Sequence, residues 1–407
     1  MAFLDQIELN FPSGALDAFA RQRMSEPATI FDSKLTGDNR PLLYDDQEVS
    51  GGGTSSVYSV NSSSVLLSVS NLTAGRRIRQ TWRRFNYQPG KSQLVILTGV
   101  LGIPTAGNSK KIGYFDDNNG LFFDSTGASV GVNVRTFTTG VAVDNRIPQS
   151  GWNIDKLDGT GASGITLDFS KTQIFFFDFE WLGVGTVRFG FFVDGMPIYC
   201  HAFQHANVLT DVYMTTPNLP IRYEIENDGT GAADSLKQIC STVISEGGVS
   251  QSGFPISIDR GTTSLVTGNN TKLYPLFAIR LKAGFLGSTV QIKDFSIICT
   301  SSSAYNFQWL LDPTVGGTAF SYTSLANSSI EFDASRTNTT TVTGGTKLNS
   351  GVGFQGNQGG VSGGEFRDKF ALGSSISGTP QVLVLAVRRL TGTSETFYSA
   401  SNFTDQK

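Results

Sequence analysis

Gln173-Ile-Phe-Phe-Phe-Asp-Phe-Glu-Trp181 is the stretch that decides the fold. Side chains of a strand alternate between its two faces, so Phe175, Phe177, Phe179 and Trp181 share one face. Ile174, Phe176, Asp178 and Glu180 share the other. A period of two with this aromatic load reads as a strand with one face in a core. Gly183-Val184-Gly185 follows, then a second apolar run, Val187–Val193. Strand, turn and returning strand make an antiparallel pair. The turn is expected to set Glu180 opposite Arg188 as a cross-strand ion pair.

The same signals continue on both sides. Between about 65 and 300 lie Val65–Val69, Gln93–Val100, Val130–Phe137, Thr289–Cys299 and others like them. Asn119-Gly120, Asp194-Gly195 and Asp228-Gly229 are hairpin dipeptides, because Asn, Asp and Gly accept the positive φ that tight turns demand. Without helical periodicity, this predicts an all-β protein with a large antiparallel β-sandwich over residues 71–300. A second strand series, from Tyr305–Leu311 to Glu395–Ser399, predicts a smaller β-sandwich over 301–407, with Gly351–Gly364 as a long loop. Residues 1–70 show no clear period. They read as an extended docking arm with one short helix, Gly14–Met24, capped by Ser13.

Composition agrees with short strands and tight turns. The 407 residues include 46 Gly and 30 Phe but only 16% charged residues; a disordered chain would have the opposite bias. A net charge of −3 supplies no field for nucleic acid or an anionic membrane. No apolar run is long enough for a membrane span. Met1-Ala-Phe-Leu-Asp5 lacks the basic start and apolar core of a secretory signal, so a soluble cytosolic product is expected. Cys200, Cys240 and Cys299 are odd in number and widely spaced, and are expected to be reduced, small core residues.

Several clusters are chemically suggestive. Asp178 and Glu180 on one strand face are the pair a glycosidase would need, one protonated and one ionised. The expected Glu180–Arg188 pair gives the structural alternative. Arg77, Arg79 and Arg83 fall on one face of a strand and read as an assembly strip, docking onto acidic neighbours such as Asp45 and Asp46 of another copy. His201 and His205 have a spacing that joins metal ligands on a helix, but this segment reads as a strand. The turns Asp116–Gly120 and Asn153–Gly161 carry calcium-type oxygens, yet neither follows a full calcium-loop pattern. No serine or cysteine sits in a nucleophile elbow. No cofactor, no metal and no enzyme activity are expected.

Arg79-Gln-Thr81, Tyr87-Gln-Pro-Gly-Lys-Ser-Gln93, Ile112-Gly-Tyr-Phe-Asp116 and Asn119-Gly-Leu-Phe-Phe123 resemble segments of tailed-bacteriophage virion proteins. So do Phe179-Glu-Trp-Leu-Gly-Val-Gly185, Val187-Arg-Phe-Gly190, Tyr213–Asn227 and, near the end, Ala386–Ser394. The resemblance covers about 76–300 and implies a virion structural protein, assembled in the host cytoplasm, whose large domain is a concanavalin-like jelly roll. It implies no catalytic residues. Sandwich-fold glycosidases carry a third acid on the strand, where this chain has Phe176. The role implied is a tail or neck fibre, or capsid decoration, in contact with other virion proteins. A homo-oligomer is expected, with a trimer as the first guess. A lectin-like module would touch host-surface glycan through rim aromatics, with Tyr114, Trp152 and Trp309 as candidates. A polysaccharide depolymerase would use Asp178 and Glu180.

Overall fold

The computed structural model describes residues 26–248, 253–354, 356–361 and 370–407. The helix expected over Gly14–Met24 lies outside the described residues. Fifteen strands build the first unit. They begin with β1 (Ala28–Lys34), β2 (Tyr44–Gly51), β3 (Thr54–Ser59), β4 (Ser64–Val69) and β5 (Gly75–Thr81). β6 (Gln93–Val100), β7 (Asn108–Phe115), β8 (Gly120–Thr126), β9 (Ser129–Thr136) and β10 (Val143–Pro148) follow. β11 (Gln173–Phe179), β12 (Val187–Val193), β13 (Met196–Phe203), β14 (Ile221–Asn227) and β15 (Asp234–Ser245) complete it.

These strands form two antiparallel sheets packed face to face. One runs β13-β12-β11-β6-β15-β4-β3, with β1 also on β15; the other runs β10-β9-β8-β7-β14-β5-β2. Consecutive strands β4 to β7 alternate between the sheets, as do β13 to β15, which is the wrapping of a jelly roll. Alternation along β11 turns Phe175, Phe177 and Phe179 into the core. Phe123 of β8 lies against four rings there, with centroids 5.1 Å from Phe175, 5.2 Å from Phe177, 5.4 Å from Phe189 and 4.9 Å from Phe191.

Residues 28–69 are not an extended arm. β2 pairs with β5, β3 with β4, and both β1 and β4 with β15. β15 is long enough for both: its first half, Asp234–Gln238, pairs with β4, and its second, Cys240–Ser245, with β1. β1, β2 and β3 are edge strands that bury few apolar residues each, so their sequence carries a weak strand signal, whereas β4 is the run Val65–Val69 that reads as a strand.

The boundary between the two units also moves, to residues 248–253. Phe254–Asp259, Tyr274–Leu281 and Thr289–Cys299 all pair within the second sandwich. Its five-stranded sheet is centred on Thr289–Cys299 and Glu395–Gln406, and its six-stranded sheet on Tyr274–Leu281 and Leu383–Arg389. The glycine-rich run expected as a loop contains strand, Thr346–Gly353 and Gly356–Val361. The units touch directly. The Ile376 N–H donates to Asp45 Oδ2 at 2.8 Å and the Ser374 N–H to the Trp82 carbonyl at 2.9 Å. Asn218 Nδ2 donates to the Gly287 carbonyl at 3.1 Å. Among the described residues, no helix is long and apolar enough to cross a membrane.

Candidate functional site

The outward face of β11 carries the most suggestive cluster. Phe176 and Asp178 lie on it, flanked by β12 and β6. The β11–β12 connection runs from Glu180 to Thr186, closed by the Glu180 N–H donating to the Thr186 carbonyl at 3.2 Å. Leu182 and Gly183 take positive φ (36° and 80°) within it. That connection sets the register Asp178↔Arg188. The ion pair expected for Glu180 therefore belongs to Asp178, whose carboxylate contacts Arg188 Nη2.

Asp178 has two further donors. The Tyr199 hydroxyl donates to Oδ2 at 2.9 Å and the Ser92 hydroxyl to Oδ1 at 2.8 Å. The carboxylate is 8% exposed, whereas Arg188 is 47% exposed and lies 4.7 Å above the Tyr199 ring. Burial first, then the Asp178 charge, pushes the Tyr199 phenol up to about 12, so it stays a hydrogen-bond donor at neutral pH. Glu180 is exposed, with the Thr186 N–H 3.5 Å from its Oε1. Ser92, Asp178, Glu180, Thr186 and Arg188 line a shallow cavity of about 350 Å³. Chemically this is an oriented ionic cluster: one carboxylate is held by three donors and the other faces solvent.

The basic strip is not a strip. Arg79 points between the sheets, with Nε donating to Gln238 Oε1 at 2.6 Å and its guanidinium 4.5 Å from the Tyr44 ring. Arg77 and Arg79 both pair with Asp46 of the same chain, at 2.7 and 3.3 Å. Asp45 accepts from Gln47 and from the second sandwich. Arg83 lies beyond β5, with Nη1 donating to the Ile30 carbonyl. The acids expected to come from another copy are supplied in the chain, because β2 pairs directly with β5.

The aromatic candidates are core residues and reach no rim. Tyr114 is fully buried and donates to the Phe85 and Pro217 carbonyls at 3.1 and 2.9 Å. Trp152 packs on Phe191, and Trp309 between Phe277 and Phe295 in the second core. Cys200 and Cys299 are buried as expected, but Cys240 is exposed beside the bulge in β15.

In the two calcium-type turns Asp116 and Asp155 close their own loops, and Asp117 pairs with Arg76 and Arg222. Asp116 accepts from the Asn118 and Asn119 N–H groups and pairs with Arg84; Asp155 accepts from Leu157 and Ser163. Among the described residues no group of three His, Cys, Asp or Glu is placed to hold a metal. His201 Nδ1 accepts from the Asn153 N–H, and His205 Nδ1 lies 2.7 Å from the Gly185 carbonyl. One cluster was not anticipated. Glu224, buried on the outward face of the seven-stranded sheet, meets Arg76 and Lys111 at 2.8 and 2.9 Å, with Arg222 at 3.4 Å. The alternation Tyr223-Glu-Ile-Glu226 was its one signal.

No family model matches the chain, and no curated protein matches it. Solved structures are similar over about half of it. A β-glucanase of Bacillus licheniformis is 12% identical, covering 55% of this chain and 99% of its own, at a TM-score of 0.33. A legume lectin-like domain from Entamoeba histolytica is 8% identical, covering 53% and 96%, at 0.31. The CBM2 module of an evolved Dit from Lactobacillus casei BL23 phage J-1 is 6% identical, covering 56% and 100%, at 0.34. The likeness extends to the fold alone.

Proposed function

We propose that the chain is a non-enzymatic structural protein of a tailed-phage particle, a tail- or neck-fibre component that meets other virion proteins and a host glycan. The observation that carries the non-enzymatic half is the state of Asp178. A glycosidase needs one carboxyl free to donate a proton to the leaving group and a second placed across the bond. Asp178 is instead held by Arg188, Tyr199 and Ser92, and the position of a third acid is Phe176, packed on Phe192 and Tyr199. The virion half is supported by the phage-like segments between 76 and 300 and near 386–394. The dense in-chain pairing of both sandwiches suits a rigid particle component.

The test has two arms. Incubation with host capsule or cell-wall polysaccharide should release no new reducing ends; release that disappears in Glu180→Gln would establish the depolymerase instead. Antibody-gold labelling of purified particles should mark the tail or neck. Label over the capsid shell would establish a decoration protein, and particles without label would remove the virion reading. Sedimentation of the purified protein tests the expected trimer.

A further inference from the structure

The first sandwich is open along one side, where edge strands β10 and β13 diverge. A cavity of about 440 Å³ lies there, between β9–β10 and the segment that leaves β13. Its size falls within the range of small-ligand pockets, roughly 300–1,000 Å³. Val134, Phe203 and Tyr213 give it an apolar floor; Asn145, His205 and Asp211, with the hydroxyls of Thr136, Thr138 and Thr210, give it polar groups.

The ring positions are fixed. His205 stacks on Tyr213 at 4.2 Å with planes 10° apart, and Phe203 lies parallel to His205 at 6.4 Å. The Tyr213 hydroxyl donates to the Glu180 carbonyl at 3.1 Å and its N–H to the Gly183 carbonyl at 2.8 Å. The stack is thus anchored to the β11–β12 connection, and needs no ligand to form.

The threonine hydroxyls can donate or accept, and the other three polar groups offer acceptors. A carbonyl only accepts, so His205 Nδ1 at 2.7 Å from the Gly185 oxygen carries the proton, and Nε2 is left with a lone pair. Burial, opposed in part by that carbonyl, lowers the His205 pKa and keeps the ring neutral. Asn145 donates through Nδ2 to the Val134 carbonyl at 3.3 Å, leaving Oδ1 as an acceptor. Asp211 is exposed at the rim and meets no donor among the described residues. No lysine or arginine lines the cavity. An apolar floor with acceptors around it calls for a ligand with an apolar face and several O–H donors, and it disfavours anions.

We propose that this edge pocket binds a neutral pyranose unit of a glycan, with Asp211, Asn145 and His205 accepting from its hydroxyls and the Phe203–Tyr213 floor meeting its C–H face. The proposal gives the glycan half of the functional reading a place, and it stands or falls separately from the particle half. It also differs from the aromatic set read from the sequence, since Tyr114, Trp152 and Trp309 lie elsewhere.

The experiment is saturation-transfer NMR on the full chain with the methyl glycosides of glucose, galactose, mannose and N-acetylglucosamine, plus glucuronate and choline. At least one neutral glycoside should receive saturation from aromatic protons. Its affinity should fall about tenfold or more in Asp211→Ala and in Asn145→Ala, as expected for loss of one charge-assisted or well-placed hydrogen bond. Both positions are exposed, so the variants should fold, and an unchanged thermal transition checks this. No transfer to any neutral glycoside overturns the proposal, as does preference for glucuronate or choline. A sugar whose binding survives both variants but is lost in Arg188→Ala also overturns the pocket, while leaving glycan binding by the chain in place.

Discussion

Asp178 and Arg188 stand directly opposite one another on β11 and β12, and their ion pair is completed by the Tyr199 and Ser92 hydroxyls on the same carboxylate. The pair is lopsided: the acid is nearly covered and the base half open. Removing each partner should therefore have unequal effects. Asp178→Ala strands two partly buried donors and should destabilise the protein by about 1–3 kcal/mol. Arg188→Ala removes an arginine well exposed to water and should cost about 1 kcal/mol or less. Glu180→Ala should change nothing measurable. Urea titration of the three variants checks the order, and an Arg188→Ala cost exceeding that of Asp178→Ala would contradict it.

Glu224 predicts acid sensitivity. Burial alone would raise its pKa, but Lys111, Arg76 and Arg222 outweigh burial and hold the carboxyl well below its ordinary 4.5. A depressed folded pKa stabilises the protein fully above the unfolded value. That contribution is lost as pH falls below about 4.5 toward the folded value. Glu224→Gln strands Lys111, while Arg76 and Arg222 keep Asp117 at 2.8 and 2.7 Å, and should cost about 3 kcal/mol at pH 7. The variant should also show a shallower loss of stability between pH 5 and pH 3 than the unaltered chain. Thermal melts across that range read both effects.

Asp45 joins the two sandwiches through the Ile376 N–H. Asp45→Ala should weaken that join by about 1.5–3 kcal/mol, the usual worth of a hydrogen bond to a charged group. The Ile376 amide should then exchange with deuterium faster, while amides in the middle of β11 stay protected. Equal acceleration throughout would mean that the two units unfold as one.

Phe123 and Phe254 are opposite extremes of one residue type. Phe123→Ala opens a cavity among four rings and should cost about 3–5 kcal/mol. Phe254 is 81% exposed, and Phe254→Ala should stay within about 0.5 kcal/mol. Chemical denaturation distinguishes them.

The hairpins and the aromatic strands were legible because each has a local cause. Asp194-Gly195 takes positive φ at both residues (49° and 79°), and β11 sends Phe175, Phe177 and Phe179 into the core as its sequence implies, with Phe176 and Asp178 covered on the other face. What was not legible depended on partners distant in sequence. The polar composition of 28–69 reads as an arm, yet Asp46 finds its ion-pair partners, Arg77 and Arg79, once β2 pairs with β5. Tyr114 resembles a binding aromatic in isolation, but its place in β7 points it inward beside Phe85, and its hydroxyl finds backbone carbonyls there. The Glu180–Arg188 expectation failed by two residues of register, since a turn's length is not settled by its glycines alone. The edge pocket needs the 203–213 segment folded over β9 and β10, a relation between segments about 70 residues apart that no local pattern encodes.

The pairing of β1 with β15 has a consequence for the order in which the chain can fold. Thr242 Oγ1 donates to the Phe31 carbonyl, a contact between residues 211 apart in sequence. β15 also lies between β6 and β4, so the eight-stranded sheet lacks a central member until residue 245 has been made. On a ribosome, β1 and β4 must wait through most of the synthesis of the first sandwich for the edge that β15 will pair. The second sandwich waits in the same way for Glu395–Gln406, the partner of Thr289–Cys299. Long-range pairing of this kind folds slowly and exposes strand edges meanwhile. Yield of soluble protein should therefore respond to synthesis temperature and chaperone supply, and a chain cut within β15 should aggregate instead of folding as a smaller sandwich.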